Sequence, residues 1–301
     1  LTSIEGARFF ATSLIILGHT LNWQQVDRNS VDESTQGCLS YIRFVFSDLQ
    51  KIVSFWFLLS GFTLSWSNRN HDLSDSQHRW NFWKRRIARL YPDIFLSSVI
   101  IFVLAAFFFC AADWRFWLLN LLSLTLITGC IPGWLPLNGS LWFIFVYFWF
   151  VVIFPFLLEP AKRFFRKDTV PIFVLKIGIL WLVSLSPWIL MHFWFWHDGV
   201  DDFNASSFSW AMNVTPFLHL PEFLMGMAVA IRLDEDAKAG EETSADEALV
   251  SEAAAPYAAL LSSLVFVVFF FWRVLPGDGT YNSLLAPLHA VFLYAIASIE
   301  I

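Results

Sequence analysis

Long apolar runs constrain this chain more than any other feature of its amino-acid sequence. A shorter run lies at about 115–131, and eight long runs lie at about 7–23, 44–66, 93–112, 139–158, 170–196, 209–232, 257–275 and 281–300. A helix rises about 1.5 Å per residue, so runs of this length can cross the roughly 30 Å hydrocarbon core of a bilayer. Backbone polar groups must be paired inside lipid, and uniformly apolar runs of this length are typical of helices and not of barrel strands. The sequence therefore predicts an all-α, polytopic membrane protein.

The composition supports a bilayer as the solvent of this protein. Apolar residues make up 57% of the 301-residue chain and charged residues only 15%, which is too few for a water-facing surface. The sequence has no nucleic-acid-binding signature, and His192, His197 and Asp198 are too loosely spaced for a metal site. We therefore expect the lipid bilayer as a partner, and neither nucleic acid nor a metal ion.

Basic residues set the orientation of the predicted spans. Lys and Arg cluster between residues 69 and 89 and again between residues 162 and 167. Such clusters mark cytoplasmic loops, which places the N-terminus in the cytoplasm if segment 115–131 is interfacial or re-entrant. The acidic stretch at 233–256 is then a flexible cytoplasmic loop within a single transmembrane domain, residues 1–301. Which membrane holds the protein stays open.

The first run carries two ionisable residues, Arg8 and His19, on one helix face. They are eleven residues apart, which is three full turns and about 20° more. Glu5 and Thr12 lie on the same stripe, so this face must look into protein or water. A neutral imidazole inside the hydrocarbon layer can act as a base, which makes His19 a candidate catalytic residue with Arg8 as its helper. The alternatives are a histidine that only hydrogen-bonds a neighbouring helix and an arginine that snorkels to lipid phosphates.

A basic motif, FWKRRIARLYP at residues 82–92, precedes the third run. It places Arg86 and Arg89 three residues apart, on one helix face at the cytoplasmic surface. Two guanidinium groups in this arrangement can bind a phosphate or pyrophosphate through bidentate hydrogen bonds. The other interpretation is an ordinary cytoplasmic anchor of a membrane span.

Two weaker motifs complete the candidate set. FLLSGF at 57–62 places Ser60 and Gly61 in an apolar helix, where small residues usually allow close helix packing. LPEFLMGM at 220–227 places Glu222 at the start of a span, where a carboxylate suits a helix N-terminus or pairs with a cation. A structural role explains both motifs at least as well as a functional one.

Together these motifs resemble acyltransferase family 3, a family of membrane O-acyltransferases that modify sugars, lipids and small metabolites. The resemblance covers residue 4 to about residue 300, and it rests on Arg8 with His19, FWFLLSGF at 55–62, RIAR at 86–89 followed by LYP, and LPEFLMGM at 220–227. It implies an all-α bundle of roughly ten spans, each about 20 residues long. It also implies that His19 is the catalytic base and that Arg86 and Arg89 lie at the acyl-CoA donor.

The chain departs from the family pattern at two points. The family usually carries Ser-Leu-x-x-Glu leading into a span, whereas this chain has SLWFIFVYFWF at 140–150, with Tyr147 in the place of the glutamate. A supporting carboxylate is therefore missing there. The last apolar run is incomplete at Ile301, so the resemblance implies one or more further C-terminal spans.

The resemblance implies an enzyme that transfers acyl groups other than amino-acyl groups. A short acyl group, such as acetyl, would pass from acyl-CoA to a hydroxyl of a sugar, lipid or small metabolite, with acyl-CoA as co-substrate and no bound cofactor. His19 and Arg8 would act in catalysis, with Glu5, Ser60, Gly61 and Glu222 in support. Two other classes stay open: a transporter or flippase whose pathway is lined by the first span, and a non-catalytic relative that binds a partner.

Overall fold

The protein is helical throughout the described part of the chain. The computed structural model describes residues 2–23, 53–108, 141–198, 215–240, 260, 264 and 285–299. Within these residues it contains helices and no strand, so the predicted all-α class is confirmed. The helices are α1 Thr2–Trp23, α2 Val53–Ser67, α3 Ser76–Phe108, α4 Leu141–Phe165, α5 Val170–Asp198, α6 Pro216–Gly240 and α7 Ala286–Ser298. Segment 115–131 and nearly all of 257–275 lie outside the described residues.

Two of these helices are long and apolar enough to cross a membrane. They are Trp142–Phe165 in α4 and Pro216–Ala239 in α6, and shorter apolar helices cover Val170–Ser186 and Ala286–Ser298. Only the described residues enter this result. The larger number of spans, and the cytoplasmic N-terminus, stay predictions.

The chain divides into two compact units. The terminal unit combines Leu1–Arg69, Phe164–Phe193 and Pro221–Ile301, and the central unit combines Asn70–Arg163 and Trp194–Leu220. The terminal unit thus holds α1, α2 and α7 with most of α5 and α6. The central unit holds α3 and most of α4.

One hydrophobic cluster forms the core of the terminal unit. Apolar faces of α1, α2, α6 and α7 meet there, and the buried members are Ile4, Ala11, Phe55, Leu58, Leu59, Phe62, Met225, Val229, Ala230, Leu233, Ala286, Ala290, Leu293, Ile296 and Ala297. Helix α7 contacts both α1 and α2. Its many alanines leave room for this double contact, because small side chains let helix axes approach closely.

Helices α2 and α6 run in the same direction. They cross where Gly61 lies against the backbone of α6 and Gly226 lies against the backbone of α2. Eight residues after each glycine, Arg69 and Asp234 form an ion pair of 3.6 Å between Nε and Oδ1. The same number of residues therefore separates the two contacts on both segments, as expected for parallel helices.

Helix α7 follows the same direction. Near its start His289 contacts Ser54 of α2, and nearer its end Tyr294 contacts Asp236 of α6. The topology predicted from charge also runs spans 44–66, 209–232 and 281–300 in one common direction, and their orientation in a membrane stays a prediction.

The beginning of the predicted acidic loop is helical. Residues 233–240 continue α6 to Gly240, so the prediction of a flexible loop is wrong for this part of 233–256. Ion pairs at i,i+4 spacing stabilise the added turns: Arg232 with Asp236 at 2.9 Å and Lys238 with Asp234 at 2.5 Å. The rest of the stretch, residues 241–256, lies outside the described residues.

In the central unit, α3 begins at a side-chain cap. Asp75 Oδ2 accepts hydrogen bonds from the backbone N–H groups of Gln77 at 2.9 Å and His78 at 3.2 Å, which satisfies donors that a helix start leaves unpaired. The buried rings of Phe82 and Phe154 stack with their centroids 5.4 Å apart and join α3 to α4. The basic motif at 82–92 is therefore part of a single 33-residue helix.

Candidate functional site

Helix α1 has one face committed to the core of the terminal unit. Ile4 and Ala11 are buried there, and Ala7 and Ile15 pack against the same cluster. These residues recur at the three- and four-residue spacing of one helix face. The packing fixes the rotation of α1 and so decides where its polar residues point.

The polar stripe of α1 lies beside this packed face. Arg8 Nη1 and Glu5 Oε1 form an ion pair of 2.5 Å, with side chains 35% and 68% exposed. The Thr12 hydroxyl donates to the carbonyl oxygen of Arg8 at 2.8 Å. The structure thus gives Arg8 a local partner, Glu5, which the sequence placed on the same stripe. An exposed pair of this kind contributes little stability, so its partners exchange easily.

His19 belongs to α1, but its side chain lies outside the described atoms. Its backbone position follows Ile15 by one turn and Thr12 by two turns. Ile15 packs against the core and Thr12 is exposed. The register of the helix therefore places His19 within the polar stripe, about 20° from Thr12 and about 40° from Ile15 around the helix axis. Its catalytic role stays a prediction.

The supporting residues Ser60, Gly61 and Glu222 lie around one helix crossing. A Cβ added to Gly61 would be 2.9 Å from the carbonyl carbon of Phe223 and would overlap its oxygen. Glu222 precedes Phe223 and is fully buried. Ser60 turns its hydroxyl to its own helix, where it donates to the carbonyl oxygen of Trp56 at 2.7 Å. The two weak sequence motifs thus meet at one place in the terminal unit.

A buried polar pair, Ser54 and His289, was missed by the sequence analysis. Ser54 Oγ and His289 Nδ1 are 3.0 Å apart, and the two residues are 0% and 4% exposed. The ring of Phe55 meets the imidazole edge-on at a centroid distance of 5.5 Å. The sequence does show His289 inside the apolar run 281–300, and a histidine in such a run indicates function or helix association in a membrane protein.

The predicted donor residues Arg86 and Arg89 belong to the central unit. Arg86 is half-buried, and its guanidinium lies over the Phe82 ring at 5.7 Å, whereas Arg89 is exposed. This contact is a cation–π interaction, which stabilises a guanidinium over an aromatic ring. The other candidate residues, Arg8, His19, Ser60, Gly61 and Glu222, all belong to the terminal unit.

Helix α4 carries no carboxylate at the position where the family pattern has its glutamate. Tyr147 is half-buried in this helix. Strict spacing from Ser140 would instead select Ile144, which carries no carboxylate either. In the described terminal unit, the buried carboxylate at the crossing of α2 and α6 is Glu222.

Comparison with known proteins bears on these assignments. A curated relative, acyltransferase MdmB from Streptomyces mycarofaciens, is 35% identical over 109 residues, which is 35% of this chain and only 25% of that protein. No solved structure gives a significant match. The family model described as an acyltransferase domain, Acyl_transf_3, matches residues 1–300. Because this match covers nearly the whole chain, the protein belongs to acyltransferase family 3, which confirms the resemblance.

Proposed function

We propose that this protein is a membrane O-acyltransferase that moves acetyl or another short acyl group from acyl-CoA to a hydroxyl. The acceptor is a sugar, a lipid or a small metabolite. Membership of the acyltransferase family supports the reaction class. The observation that carries the site assignment is the two-faced packing of α1, with Ile4 and Ala11 in the core and the Arg8 stripe beside it.

A membrane location is supported by the surface of α5 as well as by the two long apolar helices. Large apolar side chains along α5 are more than half exposed, and they include Val174, Leu175, Ile179, Leu182 and Val183. Contiguous apolar surface of this kind is uncommon on soluble proteins and is normal where a helix faces lipid.

His19 is the general base of the proposed reaction. Its neutral imidazole takes the proton of the acceptor hydroxyl while the hydroxyl oxygen attacks the thioester carbonyl carbon. The new C–O bond forms, the C–S bond breaks, and the proton passes to the departing CoA thiolate. No acyl-enzyme is required, because donor and acceptor react directly.

Arg8 assists the reaction by leaving its ion pair with Glu5 and binding the donor. Its guanidinium is paired with Glu5 at the exposed edge of α1, and such a pair is held weakly. An anionic group of the donor can replace Glu5 at little cost in free energy. Arg8 would then orient the donor or balance the negative charge that develops on the thioester oxygen.

Arg86 and Arg89 bind the phosphates of acyl-CoA. Both residues lie in α3 at helical spacing for one face, and the Arg86 guanidinium lies 5.7 Å from the centroid of the Phe82 ring. Phosphate oxygens accept paired hydrogen bonds from guanidinium groups, which makes arginine better suited than lysine. Glu222, Ser60 and Gly61 support the site by fixing the crossing of α2 and α6.

Release of free CoA thiol tests the proposal. Purified full-length protein in lipid nanodiscs would receive acetyl-CoA and a panel of hydroxyl-bearing sugars and lipids. Wild-type protein should release thiol in step with acceptor acetylation, and His19→Gln should abolish both. His71→Gln is the matched control, because His71 is an exposed histidine between α2 and α3. Unchanged turnover in His19→Gln would overturn the role of His19, and a transporter would release no thiol with any acceptor.

A further inference from the structure

An elongated cavity lies within the terminal unit between α5, α6 and α7. Its volume is about 770 Å³, in the range of cavities that bind small molecules in other proteins. Apolar side chains line it, among them Phe173, Ile177, Val229 and Leu288. The walls run from Val170 to Trp181 along α5, a helical rise of about 16 Å. The cavity is therefore long and apolar, which suits an extended hydrocarbon chain.

Gly178 opens the cavity on the α5 side. It lines the cavity, and a Cβ added there would meet no atom of the described residues within 4 Å. Gly61 and Gly226 differ from it, because each of these glycines lies against the backbone of another helix. Gly178 therefore borders the open cavity, whereas Gly61 and Gly226 allow close helix packing.

Polar groups collect at one end of the cavity. Arg232 and Tyr294 are lining residues, and both bind Asp236: the arginine Nη2 lies 2.9 Å from Oδ1, and the tyrosine hydroxyl donates to Oδ2 at 2.6 Å. Arg232 Nη1 also donates to the carbonyl oxygen of Asp168 at 2.8 Å. Arg232 Nε donates to Asp236 Oδ2 at 3.0 Å as well. Among the described residues these contacts use three of the five N–H donors of the guanidinium, and a headgroup can bind the others.

Basic residues outnumber acidic residues at the same end of the described terminal unit. Three groups of ion pairs and hydrogen bonds lie there: Arg69 and Lys238 with Asp234, Arg166 and the backbone N–H of Lys167 with Glu235, and Lys176 and Arg232 with Asp168 and Asp236. The excess of cations favours an anionic group over a neutral or cationic one.

The cavity is accessible from the side. Val170, Val174 and Val291 border it and are 60%, 61% and 51% exposed. If α5 faces lipid, as the proposed membrane location requires, these valines lie against acyl chains. A chain can then enter laterally while its headgroup stays at the charged end.

We propose that this cavity binds one acyl chain of an anionic phospholipid, with the phosphate near Arg232. The site rests on the membrane location in the proposed function and is independent of the acyl-transfer chemistry. Charge selects the headgroup, and the apolar walls with the open space at Gly178 select the chain.

Photocrosslinking in lipid nanodiscs tests this site in the full-length protein. The probes are phosphatidylglycerol and phosphatidylcholine, each with a diazirine in one acyl chain. Phosphatidylglycerol should label peptides of 170–181 and 285–294, and phosphatidylcholine should label them about tenfold less. Equal labelling by the two lipids, or labelling spread evenly over the apolar surface, would overturn the proposal. Displacement of the label by long-chain acyl-CoA but not by unlabelled phosphatidylglycerol would also overturn it.

Variants that fill the cavity with a larger side chain form the second part of the experiment. Gly178→Trp should lower phosphatidylglycerol labelling about tenfold, and Gly178→Leu should lower it less. Ile179→Trp is the control, because Ile179 is exposed on the same helix and does not line the cavity. Wild-type labelling in a folded Gly178→Trp protein would contradict the site. Acetyl transfer is measured in the same samples: its absence with normal labelling overturns only the enzymatic proposal, and the reverse result overturns only the lipid site.

Discussion

Gly61 and Gly226 each lie against the backbone of the other's helix, one on α2 and one on α6. A Cβ at Gly61 would overlap the carbonyl of Phe223, and a Cβ at Gly226 would overlap the carbonyl of Leu58. The contact is reciprocal, so neither helix can move away from the other without opening the core.

Gly61→Ala and Gly226→Ala should each destabilise the protein. One methyl group forces the two backbones apart, and overpacking of this kind typically costs about 1–3 kcal/mol or more. The melting temperature in detergent should fall for both variants. Gly6→Ala is the control, because in the described part of the chain no atom lies within 4 Å of a Cβ at Gly6. An unchanged melting temperature for Gly61→Ala would contradict the crossing.

Glu5→Gln should strengthen donor binding. Removal of the carboxylate leaves Arg8 available to the donor, and an exposed pair is worth roughly 0.2–1 kcal/mol, or up to about fivefold in affinity. The KM for acetyl-CoA should fall by that factor at low salt and by less at high salt. Glu159→Gln is the matched control, because Glu159 and Lys162 form another i,i+3 pair. A rise in KM for Glu5→Gln would show that Glu5 has another role.

Arg86→Ala and Arg89→Ala should weaken acyl-CoA binding. Each change removes charged hydrogen bonds to a phosphate, which are worth about 1.5–3 kcal/mol, so KM should rise at least about tenfold. Lysine at these positions should restore part of the loss, because charge is kept while paired hydrogen bonds are lost. Arg85→Ala, an exposed neighbour in α3, serves as the control. The donor assignment fails if Arg85→Ala has the same effect.

Ser54 and His289 should be energetically coupled. In Ser54→Ala the buried imidazole loses a hydrogen bond, which typically costs about 1–3 kcal/mol. Chemical unfolding of Ser54→Ala, His289→Phe and the double variant measures the coupling, which should be at least about 0.5 kcal/mol. Strictly additive losses would mean that the observed contact of 3.0 Å contributes no stability.

Apolar runs located the helices well and their charged extensions poorly. The predicted run 170–196 corresponds to α5 at Val170–Asp198, whereas the run 209–232 corresponds to α6, which continues through a charged segment to Gly240. The apolar run ends before Asp234, but the helix continues to Gly240, because ion pairs at i,i+4 spacing stabilise its last turns. Helix α3 begins at Ser76, within the basic segment, because the Asp75 side chain caps its first turn.

Sequence spacing identified contacts within one helix but not contacts between helices. It placed Glu5 and Arg8 on one stripe, and these residues form an ion pair. It gave no indication that Ser54 would meet His289, because 235 residues separate them. Nor did it indicate the cavity beside Gly178, since a cavity depends on how three helices pack and not on the pattern of any one.

The terminal unit is assembled from three separate stretches of the chain, and this has a consequence for biogenesis. Helices α1 and α2 emerge first from the ribosome, but the face that they bury is completed by α7. Until α7 has been inserted, the part of that face that α7 covers lacks its partner. Ribosome stalling or a nonsense codon before residue 286 should therefore yield a product that membrane quality control degrades, even though every candidate catalytic residue has already been synthesised.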